Sequence, residues 1–168
     1  MVPATSTLLN THLGGDGMQR PRLGELLLQK GYVDQTQLSA ALDEARATKE
    51  LLGVVLLRKG FIFETELSRT LAEQLAVPYV SIRQVGVDRS VARLLPAEVG
   101  MKAVAIPIRI QSDMSVQVAF GDPSDPEALG AVAERIPRLS IAVTEVSAIL
   151  DAWRRLVDIV APPLAGSR

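Results

Sequence analysis

Arg20 and Arg22 stand on alternate positions of QRPRLG, directly ahead of Gly24, and the dipeptide LG returns at Leu52 and Gly53, 29 residues after Leu23 and Gly24. A guanidinium can grip a phosphate through two parallel N–H donors, or lie on an aromatic base while a neighbour donates to the base edge. A glycine in the opening turn of a helix uncovers amides that have no acceptor within the helix, and an anion can then approach them. Glycine in such a turn costs about 0.5–1 kcal/mol relative to alanine, so its repeated use needs a reason. Two reasons are open at this stage, an anion brought close to the backbone or a side chain packed against it. The arginines have an alternative of their own, as solvated surface charges.

These residues must be positioned by short helices. RLGELLLQKG, residues 22–31, predicts a helix ending at Gly31 as a left-handed C′ residue. YVDQTQLSAALDEARATK predicts a longer one, with Asp34 and Gln37 at capping-box spacing and Leu38, Ala41, Leu42 and Ala45 on one apolar face. A shift of 29 residues lays Leu23 on Leu52, Gly24 on Gly53, Leu27 on Leu56, Gly31 on Gly60, Leu38 on Leu67 and Leu42 on Leu71. The chain therefore spells one helical hairpin twice. The copies differ at their starts: Arg20 falls on Lys49, Arg22 on Leu51 and Asp34 on Phe63. The second long helix is expected to begin less neatly, at Glu64 or Thr65.

Beyond Gln74 the pattern changes. A short β-like run is expected over residues 79–82 and a brief helix over 90–95, ended by Pro96. AVAIPIRI and SVQVAF, joined by QSDM, predict a two-stranded hairpin. GDPSDPEALGAVAERI predicts a helix with Asp122 as N-cap and Pro123 at its first position. LSIAV then gives a strand and TEVSAILDAWRRLVDIV a final helix. The expected architecture is α+β. A disordered tail over 1–19 precedes a four-helix tandem repeat over 20–77 that forms the ligand-binding half, a small α/β subdomain with a short sheet over 78–160, and a frayed tail over 161–168.

Composition removes several functions. Lys and Arg number 18 against 19 Asp and Glu, a net charge of -1, so no global field gathers nucleic acid or an anionic membrane. Without cysteine there is no disulfide, thiolate nucleophile or Cys-based zinc site, consistent with a reducing cytoplasm. His12, the one histidine, lies in a polar tail and reads as solvated. Asp43 and Glu44 are neighbours on a helix, project in different directions, and read as solvated rather than as a working carboxylate pair. No G-x-x-x-x-G-K-[ST] occurs in the 168 residues, so a P-loop mechanism for ATP is excluded within them. The N-terminus lacks the pattern of a secretory signal, and the apolar runs fall short of the ~20 residues that cross a bilayer. A soluble, cytoplasmic, non-enzymatic protein without metal or cofactor is expected.

RLGELLLQKGYVDQTQLSAAL followed by LGVVLLRKGFIFETELSRTLAEQLAVPYVSI resembles the MshEN-type cyclic di-GMP-binding domain at the N-terminus of type II secretion and type IV pilus assembly ATPases. VAFGDPSDPEAL resembles the α/β portion of the same family. The resemblance implies that each copy holds half of the twofold dinucleotide. The backbone near Leu23 and Gly24, and near Leu52 and Gly53, would then meet phosphates, while Leu38, Leu42, Leu67 and Leu71 pack on ligand and core together. Arg20 and Arg22 would address guanine. Asp122 matches an acidic position able to accept from guanine N–H groups, a role compatible with its alternative as an N-cap. The family glutamine is kept at Gln74, whereas its counterpart in the first copy is Ala45. The implied function is a stand-alone cyclic di-GMP sensor whose partner is a secretion or pilus ATPase or another regulatory protein. The competing reading is an adaptor of the same fold that binds protein and no nucleotide. Nucleic-acid binding finds no basic stripe to support it.

Overall fold

The computed structural model describes residues 21–158. The expectations for the 1–19 and 161–168 tails, for His12 and for Arg20 lie outside the described residues. The chain divides into two compact units, Met1–Val77 and Pro78–Arg168.

In the first unit, the doubled sequence builds α1 (Leu23–Gln29), α2 (Gln35–Thr48), α3 (Leu52–Arg58) and α4 (Glu64–Gln74). Gly31 and Gly60 follow the short helices with φ of 69° and 66°, the left-handed turn that lets each chain reverse. The α2 start is a reciprocal box: Gln37 N–H donates to Asp34 Oδ1 at 2.8 Å, and Asp34 N–H donates to Gln37 Oε1 at 3.0 Å. In α4 the cap position is Phe63, which has no acceptor, yet Phe63 N–H donates to Glu66 Oε2 at 2.8 Å. Half of the box survives, and α4 begins at Glu64. Leu27, Ala41, Val55 and Leu56 are fully enclosed and join Leu38 and Leu67 in one core. Each large aliphatic side chain so buried contributes about 1.5–3 kcal/mol.

The second unit carries a three-stranded sheet in the order β1 (Ala105–Ile110), β2 (Val116–Phe120) and β3 (Leu139–Val143). β1 and β2 form the expected antiparallel hairpin, with a register shift between Pro107 and Arg109, beside a proline that cannot donate to the ladder. β3 runs parallel to β2 after a crossover through α8 (Pro126–Ala133). α9 (Val146–Asp158) closes the described chain. Its Trp153 indole donates to the Ala105 carbonyl at 2.9 Å.

Several local expectations shift. The β-like run over 79–82 reduces to one parallel bridge between Tyr79 and Val143. It stops there because the Ser81 carbonyl accepts from Gln84 and Val85, which turns the chain into α5 (Ile82–Val85). The helix expected over 90–95 is one turn, α6 (Arg89–Ala92), capped by Asp88. Pro96 does not merely end it: it caps α7 (Ala97–Lys102), which the sequence pattern had hidden. Asp122 is not the N-cap of α8. The cap is Asp125, which accepts from Glu127 and Ala128, and Pro126 takes the first helical position. GDPSDP offers the Asp-Pro signal twice, and the second copy directly precedes the apolar run that α8 buries.

Candidate functional site

The two LG turns of the first unit lie side by side. A Cβ built on Gly24 would come within 3.5 Å of Leu52 Cδ2, so the openings of α1 and α3 adjoin. Gly24 and Gly53 are themselves buried. The Gly24 Cβ would meet Leu38 Cδ1 at 3.0 Å, and that of Gly53 would meet both Leu67 methyls at 3.1 Å. The space that each glycine vacates is thus filled by the first core leucine of the following helix. Leu23, Leu42, Leu52 and Leu71 are half-buried and flank the same core.

The repeat pairs its helices across the copies. Lys30 after α1 meets Glu73 of α4, and Lys59 after α3 meets Glu44 of α2, each with N···O of 2.5 Å. These are one ion pair at a 29-residue displacement. Glu44 is therefore paired, not solvated. The hydrogen bond from Lys59, with the charges of Lys59 and Arg58, holds its carboxyl below the usual carboxylate range against the effect of partial burial. The hydrogen bond to Glu73 raises Lys30 above the usual range of a lysine.

The segments entering α1 and α3 are held differently. Gln74 Nε2 donates to the Pro21 carbonyl at 3.1 Å, which ties the end of α4 to the residue before Arg22. The equivalent tie from Ala45 is impossible. Instead Arg58 bridges Glu44 at 2.6 Å and Glu50 at 2.9 Å, and Glu50 is the residue that aligns with Pro21. This clamp escaped the motif reading, although the matched Lys30/Lys59 and Glu73/Glu44 positions were present in the alignment of the copies. Arg22 is exposed, its N–H donates to Glu25 Oε2 at 3.1 Å, and its guanidinium has no ion pair among the described residues. In the second copy the same two places hold Leu51 and Val54, 68% and 46% exposed.

Asp122 belongs to the second unit, where its carboxylate accepts from Ser124 N–H at 2.9 Å and Ser124 Oγ–H at 2.6 Å. No group of three or more His, Cys, Asp or Glu suited to a metal occurs among the described residues. No helix there is long and apolar enough to cross a membrane.

The MshEN domain family profile matches residues 75–161. The type IV pilus assembly ATPase PilB of Thermus thermophilus is 36% identical over 143 residues, which are 84% of this chain and 15% of PilB. The chain thus spans a small part of that relative's length. A solved structure of MshE with cyclic di-GMP is 31% identical, with a TM-score of 0.71, covering 82% of this chain and 99% of that one. The N-terminal domain of XpsE is 26% identical, with a TM-score of 0.65, covering 82% of this chain and 98% of that one.

Proposed function

The chain belongs to the MshEN domain family, and from that membership we propose that it is a cyclic di-GMP-binding regulatory domain serving a type II secretion or type IV pilus machine. The observation that carries this reading is the likeness to MshE with its dinucleotide, which extends over 99% of that chain. The local geometry supports it. Two equivalent helix openings adjoin, as a ligand with two equivalent halves requires, and their first-turn amides have no acceptors within the helices. Arg22 stands exposed at one opening with an unpaired guanidinium, suited to a phosphate or a guanine edge. Leu51 and Val54 occupy the other, so the two halves of the ligand meet unlike surroundings.

In this reading Leu23, Gly24, Leu52 and Gly53 contribute backbone. Leu42 and Leu71 offer apolar surface, while Leu38 and Leu67 act mainly by fixing the glycine turns. Gln74 holds the Arg20–Arg22 segment in place through Pro21. Arg20 and Asp122 are further candidates for the guanine edges. The domain works by binding, and its output is a change in how a partner ATPase or regulator docks.

A titration of the protein with cyclic di-GMP tests the proposal. Ligand at a hundred times its dissociation constant adds about 2.7 kcal/mol, a rise in melting temperature of roughly 5–10 °C for a chain of this size. A flat melting curve, with no calorimetric heat, favours the adaptor reading. Phe63, 78% exposed at the start of α4, is the observation that supports that second reading, since a large apolar side chain there suits a protein surface.

A further inference from the structure

A cavity of about 250 Å³ opens in the second unit between α5, the turn that follows it, and α9. Ile82, Ala148 and Ala152 give it an aliphatic floor, while Arg83, Arg89 and Arg155 stand around its rim. The one carboxylate in the lining, Asp151, is already engaged by Arg154 at 2.8 Å and by Arg83 at 3.9 Å. Arg83 also donates to Ser147 Oγ at 3.3 Å. Arg89 and Arg155 are exposed and have no ion pair among the described residues. A concentrated positive rim on a chain of net charge -1 is a local feature that composition conceals.

We propose that this cavity is the docking site for an acidic peptide segment of a partner protein, one that seats an aliphatic side chain on the floor and sets carboxylates against Arg89 and Arg155. The volume is below the ~300–1,000 Å³ usual for small-molecule pockets and suits one or two side chains. A lone inorganic anion would satisfy the guanidiniums and leave the aliphatic floor wet, whereas a peptide covers both. Planar guanidiniums match carboxylates in paired N–H···O contacts. The occupant comes from another chain, because residues 159–168 contain no acidic side chain and residues 1–20 contain only Asp16. The site is independent of the dinucleotide reading, since every residue lining it belongs to the second unit.

The test uses the full chain and a fluorescein-labelled dodecapeptide of repeating Leu-Glu-Asp, with a Leu-Lys-Lys peptide as control. Anisotropy should report saturable binding of the acidic peptide alone, weakened by added salt. Amide shifts in NMR spectra should centre on Ile82, Ala148 and Ala152. The double variant Arg89→Glu/Arg155→Glu should bind about tenfold or more weakly, with the parent's melting temperature. If charge reversal lowers that temperature, Arg89→Gln/Arg155→Gln replaces it, with the same loss expected. Absence of saturable binding, equal binding by the variant, or equal binding of the basic peptide overturns the proposal. So does inorganic phosphate that shifts the same amides and displaces the peptide at equal concentration, which makes the cavity a small-anion site.

Discussion

Lys30 at the end of α1 is ion-paired with Glu73 of α4, and the same pair recurs 29 residues away as Lys59 with Glu44 of α2. Each short helix is thus tied to the long helix of the other copy. The exchange brings the two LG turns together and makes the repeat one body instead of two hairpins in a row.

Acid should loosen this body. Glu44 has a folded pKa below its unfolded value, so its contribution is present above the ordinary carboxylate range and is lost as pH falls through the lowered value. Asp88 and Asp113, lowered by hydrogen bonds from Ser90 and Ser115, add the same trend in the second unit. Lys30 is raised, so its contribution is full below its ordinary value and is lost only as pH rises beyond the raised one. Melting temperature should fall steeply below roughly pH 4. Glu44→Gln should flatten that limb, and an unchanged slope would contradict the pairing.

Enlarging either turn glycine should cost stability before it affects any ligand. At Gly24 and Gly53 a new Cβ presses on a leucine at 3.0–3.1 Å, so alanine's better helix propensity is offset by crowding. Gly53→Val should lose about 1–3 kcal/mol in denaturant unfolding. A variant as stable as the parent would mean that Leu67 moves aside freely.

Gln74→Ala should free the segment before Arg22, lower stability by about 0.5–1.5 kcal/mol, and weaken cyclic di-GMP binding in a thermal-shift titration. Ala45→Gln should change neither, because Arg58 already clamps that side through Glu44 and Glu50. A large gain in affinity from Ala45→Gln would show that the clamp does not replace the missing amide.

The doubled hairpin was legible because its signals are local. Gly31, the Asp34–Gln37 box and the leucine spacing all act within one turn or one helix face, and the structure keeps each of them. The packing role of Gly24 and Gly53 was not legible, since it depends on where Leu38 and Leu67 point after folding. Glu44 looked solvated because its partners, Arg58 and Lys59, lie 14 and 15 residues away on another helix. In the second unit, Asp122 and Asp125 carry the same cap signal, and burial of Leu129 and Val132 decides between them.

Trp153 fastens α9 to β1 and α7. Trp153→Phe leaves the Ala105 carbonyl without its donor and should cost about 1–3 kcal/mol. Gly100→Ala drives a Cβ into the indole and should cost a similar amount. Denaturant midpoints equal to the parent's in both variants would contradict this packing.

The central claim, that the tandem repeat binds cyclic di-GMP with Arg22 at one opening, is tested most directly by isothermal titration calorimetry of the parent and of Arg22→Ala. A charge-assisted contact to the ligand is worth about 1.5–3 kcal/mol, so the account predicts saturable binding to the parent and a loss of about 10- to 150-fold in the variant, with an unchanged melting temperature in the absence of ligand. No heat with the parent, or equal affinity in the two proteins, would contradict it.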